Sequence, residues 1–314
     1  MKYINELREG EIVHEIYYCK QRQSMTSPKT GKNYLNLTLS DKTGTVNAKV
    51  WDLNRDIHAF EEGNFINITA EVRSYNKIMQ LSVTSIKRAQ EGDYDEKDYI
   101  ATTKQDVGEM YDYVLSVIAS IKDKYIKKLL QDTFSNKKLE EKFKKHTAAK
   151  TMHHNYMGGL LEHTVSVTKI CSFLADHYEN VNKDLLIACA LLHDICKIRE
   201  LSELPSTDYT DEGELLGHIV MGSEFIGKQA DKIEGFPHEL KILMQHCILA
   251  HHGEYEFGSP KLPKTIEAYL LHCADDMDAK MKMYQESVET LPTGVKWTDF
   301  NRVLSTRIRS SNYQ

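Results

Sequence analysis

Residues 185–192, LLIACALL, are the longest uninterrupted apolar run in the chain, and they lead directly into His193 and Asp194. A run of that kind belongs in the core of a soluble fold, so it carries an ionisable pair to the core's edge. Burying such a pair without partners is costly. The same arrangement recurs further along. His163 opens an apolar helical stretch with Val165, Val167, Ile170, Cys171, Phe173 and Leu174. His218 lies in ELLGHIVMG, His251 and His252 lie in ILAHHGE, and Asp275 and Asp276 follow the apolar segment 266–274. One histidine at a helix end is usually a satisfied core residue. A series of them, each beside a buried helix and accompanied by aspartates, relieves its burial cost by converging. Convergent carboxylates and neutral imidazoles suit a divalent transition metal.

The front third has a different period. Leu35, Leu37 and Leu39 alternate with Tyr34, Asn36 and Thr38; after the turn DKTG, Val46, Ala48 and Val50 resume the alternation. This is a hairpin pattern. A strand over 11–22 precedes it, and strands over 64–73 and 78–86 follow. Between them, 53–62 reads as a short helix closed by Gly63. Five strands with a helix between the third and fourth is the layout of an OB-fold barrel. The stretch LNLTLSDKTGTVNAKVWD, residues 35–52, also resembles OB nucleic-acid-binding domains over the first 90 residues. The outward-facing candidates for base stacking and phosphate contact are Tyr34, Lys49, Trp51, Arg73, Tyr75 and Lys77.

Residues 91–150 read as a polar linker followed by a basic helical connector, with helical spacing over 107–121, 123–134 and 137–146. Net charge is +3 over 1–90, 0 over 91–150 and −9 over 151–314. A basic front suits a polyanion and an acidic back half suits cations. The six cysteines show no CxxC, as expected of buried thiols in a reducing cytoplasm. No apolar run approaches the roughly 20 residues of a membrane span, and no secretory leader is apparent at the N-terminus. The tail over 286–314 is open between a surface helix, a subunit contact and an anion patch.

His163, His193-Asp194, His218, His251-His252 and Asp275, in that order, resemble the ligand series of the HD superfamily of metal-dependent phosphohydrolases over residues 151–285, and Lys197 matches the family's lysine. With the barrel in front, the whole chain resembles YhaM-type 3′→5′ exoribonucleases. The resemblance implies a multi-domain α+β chain, a five-stranded OB-fold barrel followed by an all-α HD-type domain. It implies that His163, His193, Asp194 and Asp275 hold one metal, with Asp194 bridging to a second beside His218, His251 and His252. Asp194, His193 and Lys197 would be catalytic, the cofactor one or two Mn²⁺ ions, and the substrate single-stranded RNA, with single-stranded DNA and self-association as further expectations. His153 and His154 are candidates for a phosphate contact. Two alternatives stay open: a phosphohydrolase of small nucleotides, and a nucleic-acid-binding regulator with a structural metal.

Overall fold

A computed structural model describes residues 1–27, 31–53, 56–75, 78–149, 156–203, 207–289, 291–292 and 294–311. Two compact units emerge, Met1–Thr102 and a second that begins at Thr103.

The first unit is a closed five-stranded barrel. Its strands are β1 (Ile12–Thr26), β2 (Asn33–Asp41), β3 (Gly44–Val50), β4 (Phe65–Tyr75) and β5 (Ile78–Arg88), in the order β1-β2-β3-β5-β4. The alternation works as the sequence suggests. Leu37, Leu39, Ala48, Val50, Ile66, Ile68, Ala70 and Val72 are buried in one core, and Thr38, Lys49, Asn67, Thr69 and Glu71, which alternate with them, are more exposed. The β3–β5 pairing is parallel and aligns Lys49 with Ser82.

The expected helix over 53–62 is not formed by the described residues there. The backbone bonds to β5 instead: Ile86 N donates to Asp56 O, His58 N donates to Ile86 O, and Phe60 enters the barrel core. A ten-residue helix is marginal on its own because nucleation is costly, and strand pairing wins here.

The second unit is helical: α1 (Val107–Ser120), α2 (Lys124–Phe134), α3 (Lys137–Lys145), α4 (Gly159–His177), α5 (Lys183–Leu192), α6 (Lys197–Glu200), α7 (Asp211–Ala230), α8 (His238–Ala250) and α9 (Ile266–Glu289). Side-chain caps start many of these helices. Asp106, Asp123, Asn136, Asn182 and Thr210 each accept a backbone N–H of the first turn, satisfying donors that a helix start leaves orphaned. α1, α2 and α3 share one hydrophobic core with the later helices, so they belong to the helical body. Several of their lysines sit in ion pairs: Lys128 with Asp132, Lys144 with Glu140, and Lys142 with Glu203.

α9 runs past 285 to Glu289. The tail beyond it forms a two-stranded antiparallel sheet, β6 (Trp297–Asn301) and β7 (Thr306–Arg309), instead of a helix. Asn301 Oδ1 accepts the amides of Val303 and Leu304, and Ser305 takes a φ of 50°. Those two features reverse the chain where a helix would continue. Among the described residues, no helix is long and apolar enough to cross a membrane.

Candidate metal centre

α5 is buried over its last eight residues. It ends at Leu192, and residues 193–196 form a turn, so His193 and Lys197 do not share one continuous helical face as i, i+4 spacing suggests. Lys197 opens α6 and reaches back to Asp194, Nζ to Oδ2 at 2.7 Å. His193 Nδ1 faces the Ala190 carbonyl at 2.8 Å.

The other helices bring their histidines in through similar breaks. Gly217, at φ 72°, kinks α7 just before His218. Glu200 Oε1 then accepts both the backbone N–H of His218, at 2.9 Å, and its Nδ1–H, at 2.8 Å. Gly213 lets α7 approach α6: a Cβ there would sit 2.2 Å from the Glu200 carbonyl oxygen. After α8, His251 Nδ1 faces the Ile248 carbonyl at 2.6 Å and His252 Nδ1 the Phe257 carbonyl at 2.8 Å. Gly253 follows at φ 77°, and a Cβ on it would run into the His272 ring at 2.2 Å. On α4, His163 Nδ1 donates to Asp278 Oδ2 at 2.7 Å, and Ser166 bonds the same carboxylate.

One rule therefore covers all five histidines. Each commits Nδ1–H to a carbonyl or carboxylate, which leaves the Nε2 lone pair for the shared space; partners of this kind fix the tautomer of a metal-binding imidazole. His163, His193 and Asp275 form one trio with ligand atoms within 4.8 Å of one another, and His218, His251 and His252 form a second. Asp194 stands between them. Its Oδ2 is 3.5 Å from Nε2 of both His163 and His193, and its Oδ1 is 3.3 Å from His218 Nε2 and 3.7 Å from His251 Nε2. His163 Nε2 is 3.0 Å from Asp275 Oδ1, which separates Asp275 from Asp276, paired instead with Lys280.

The buried polar atoms Asp194 Oδ1, His218 Nε2 and His251 Nε2 have no hydrogen-bond partner among the described residues. Leaving such atoms unsatisfied is expensive. His163 Nε2 and His193 Nε2 lie within hydrogen-bond distance of each other, at 3.2 Å. A cation among the stranded atoms would satisfy them, so the residues fit divalent metal ions.

The charge states agree with that fit. Burial, reinforced by the neighbouring imidazoles, pulls His193 down to about 4. Burial with His251 and His218 does the same to His252, which is therefore also neutral near pH 7. Burial opposes ionisation of Asp194, but Lys197 and His193 hold it well below the usual carboxylate range. His163 is the exception. Burial pulls it down, yet its bonds to Asp275 and Asp278 push it up to about 10. An ion binding there displaces that proton.

On the barrel, Tyr34, Lys49 and Trp51 come together across β2 and β3. The Tyr34 and Trp51 rings stack at 4.6 Å and Lys49 Nζ lies 5.3 Å from the Trp51 ring centre. Arg73 sits on β4 and is ion-paired with Glu71 at 2.8 Å, while Tyr75, at the end of β4, is exposed. Lys77, His153 and His154 lie outside the described residues. Sequence reading missed Glu200, Asp278 and His272. Asp278 had a signal, three residues after Asp275 on one helix face; Glu200 had only its position one turn after Lys197.

Residues 15–89 match the family model of the OB-fold nucleic acid binding domain, and residues 160–280 match that of the HD domain. The barrel and the histidine–aspartate helical unit thus define a two-domain protein that couples an OB-fold to an HD metal centre. Across nearly its whole length the chain is similar to proteins named 3′-5′ exoribonuclease YhaM. It is 36% identical over 287 residues to that of Geobacillus sp. (strain WCH70), covering 91% of this chain and 87% of that one. It is 33% identical over 296 residues to that of Bacillus subtilis (strain 168), with 92% and 93% covered. For Shouchella clausii (strain KSM-K16) the figures are 36% over 296 residues, with 93% and 91% covered. The chain belongs to the YhaM family.

Proposed function

We propose that this chain is a metal-dependent 3′→5′ exoribonuclease that hydrolyses single-stranded RNA, and single-stranded DNA as a second substrate, to nucleoside monophosphates. The observation that carries the reading is the convergence of five imidazole Nε2 atoms and three carboxylate oxygens on one space. In this reading His163, His193 and Asp275 would hold one ion and His218, His251 and His252 the other, with Asp194 between the two trios serving both. Ions bound there supply hydroxide at neutral pH and positive charge for the phosphodiester. Mixed imidazole and carboxylate donors favour Mn²⁺ over Ca²⁺ or a closed zinc site.

The remaining roles belong to the chain's own groups. Lys197 keeps Asp194 ionised and offers its other N–H donors to a phosphate oxygen. Glu200 and Asp278 aim His218 and His163. Tyr34, Lys49 and Trp51 stack bases and neutralise phosphate along the strand. The free cysteines fit a cytoplasmic setting. The exposed ridge Tyr269, Met277, Met281 and Tyr284 on α9 supports self-association.

The test is a 5′-labelled single-stranded RNA incubated with the full chain and Mn²⁺. A ladder that shortens from the 3′ end and vanishes with a chelator is expected. Internal cuts, or an intact strand with metal bound, would overturn the reading.

A further inference from the structure

The metal-type residues open into a cavity of about 500 Å³. His163, His218, His252 and Asp275 line part of it, and two large aromatic side chains, Tyr209 and Phe257, line it as well. Both rings are substantially exposed, Phe257 at 59% and Tyr209 at 44%. An aromatic ring left open to water beside a cluster of histidines and aspartates is surface that a ligand can cover.

Both are also tied to the metal residues. The Phe257 carbonyl accepts the Nδ1–H of His252, so the turn Tyr255–Phe257 is fixed to that histidine. Tyr209 pairs with Leu201, and the next residue, Thr210, donates its N–H to the carbonyl of Glu200, whose carboxylate holds His218. The cavity falls within the roughly 300–1,000 Å³ range of small-molecule sites, leaving room for a nucleoside beside a phosphate at the metals.

We propose that Phe257 and Tyr209 are the stacking platform for the base of the 3′-terminal nucleotide. This rests on the exoribonuclease reading and deepens it. The metal side handles the phosphate, and the aromatic side holds the base by its π-face. Every base has one, so the platform positions the terminal nucleotide without selecting among the four.

The experiment uses the full chain with Mn²⁺ and two 5′-labelled RNAs that differ only at the 3′-terminal nucleotide, complete in one and abasic in the other. For the unmodified chain, kcat/KM of the first cleavage is expected to be about 10-fold higher on the complete strand. In Phe257→Ala the ratio between the strands falls toward 1, with Tyr209→Ala acting in the same direction, and Phe257→Trp restores it. A purely structural role would lower both strands equally and leave the ratio unchanged. Equal rates for the unmodified chain, or an unchanged ratio in Phe257→Ala, would overturn the platform while leaving the exoribonuclease reading intact. Failure of the unmodified chain to cleave the complete strand would overturn that reading and the platform with it.

Discussion

Trp51 on the barrel is half exposed and meets Tyr34 and Lys49 through ring contacts alone. His193 in the helical unit is fully buried, with the Ala190 carbonyl against one nitrogen and His163 against the other. A surface of the first kind binds by adding modest increments, each of which survives the loss of a neighbour. A centre of the second kind is an interlocked set, in which each ring is aimed by a partner and the atoms left stranded need one common occupant. Changes on the barrel should therefore be graded, and changes at the metal centre should be severe.

The largest effect is expected from Asp194→Asn, which keeps the shape but removes the charge shared by the two trios. Turnover should fall by about 10²–10³-fold or more while RNA affinity holds; an active variant would merge the two kinds of region. Next is Glu200→Gln. It should weaken metal binding about 10- to 100-fold, because His218 loses the carboxylate that aims it. Calorimetric titration with Mn²⁺ measures this directly.

The same titration across pH exposes the proton on His163. That group is protonated below about 10 in the metal-free chain, so each unit of acidification below that value should cost about tenfold in affinity for the ion at that trio. A pH-independent affinity would remove His163 from the ligand set.

Trp51→Ala should weaken single-stranded RNA binding by about 1–3 kcal/mol with kcat unchanged. The smallest effect is expected from Lys49→Ala, a uniform loss in affinity with the slope of log K against log salt reduced by about 1. Fluorescence anisotropy at several salt concentrations separates the two.

Much of this contrast could be read from the sequence, for physical reasons that also set the limits. Leu35, Leu37 and Leu39 alternate because a strand with one buried face must, and the barrel followed from that period. His193, His251 and Asp275 stood out because ionisable residues at the ends of apolar segments need partners. Glu200 and Asp278 are harder to read, Asp278 offering only its i, i+3 spacing from Asp275: a carboxylate that orients a histidine is set by the fold, here by the close approach of Gly213 to α6 and by the packing of α4 against α9. The segment 53–62 misled for the opposite reason. Leu53, Ile57 and Phe60 have helical spacing, but Asp56 and His58 bond to β5 and the backbone follows the sheet. In the tail, local chemistry at Asn301 and Ser305 outweighed any periodicity.

If two histidine trios joined by Asp194 bind divalent ions, elemental analysis after Mn²⁺ loading and desalting should find two ions per chain, falling to one or none in Asp194→Asn with the fold retained by circular dichroism. A metal-free chain, or a metal content that Asp194→Asn leaves unchanged, would contradict that assignment.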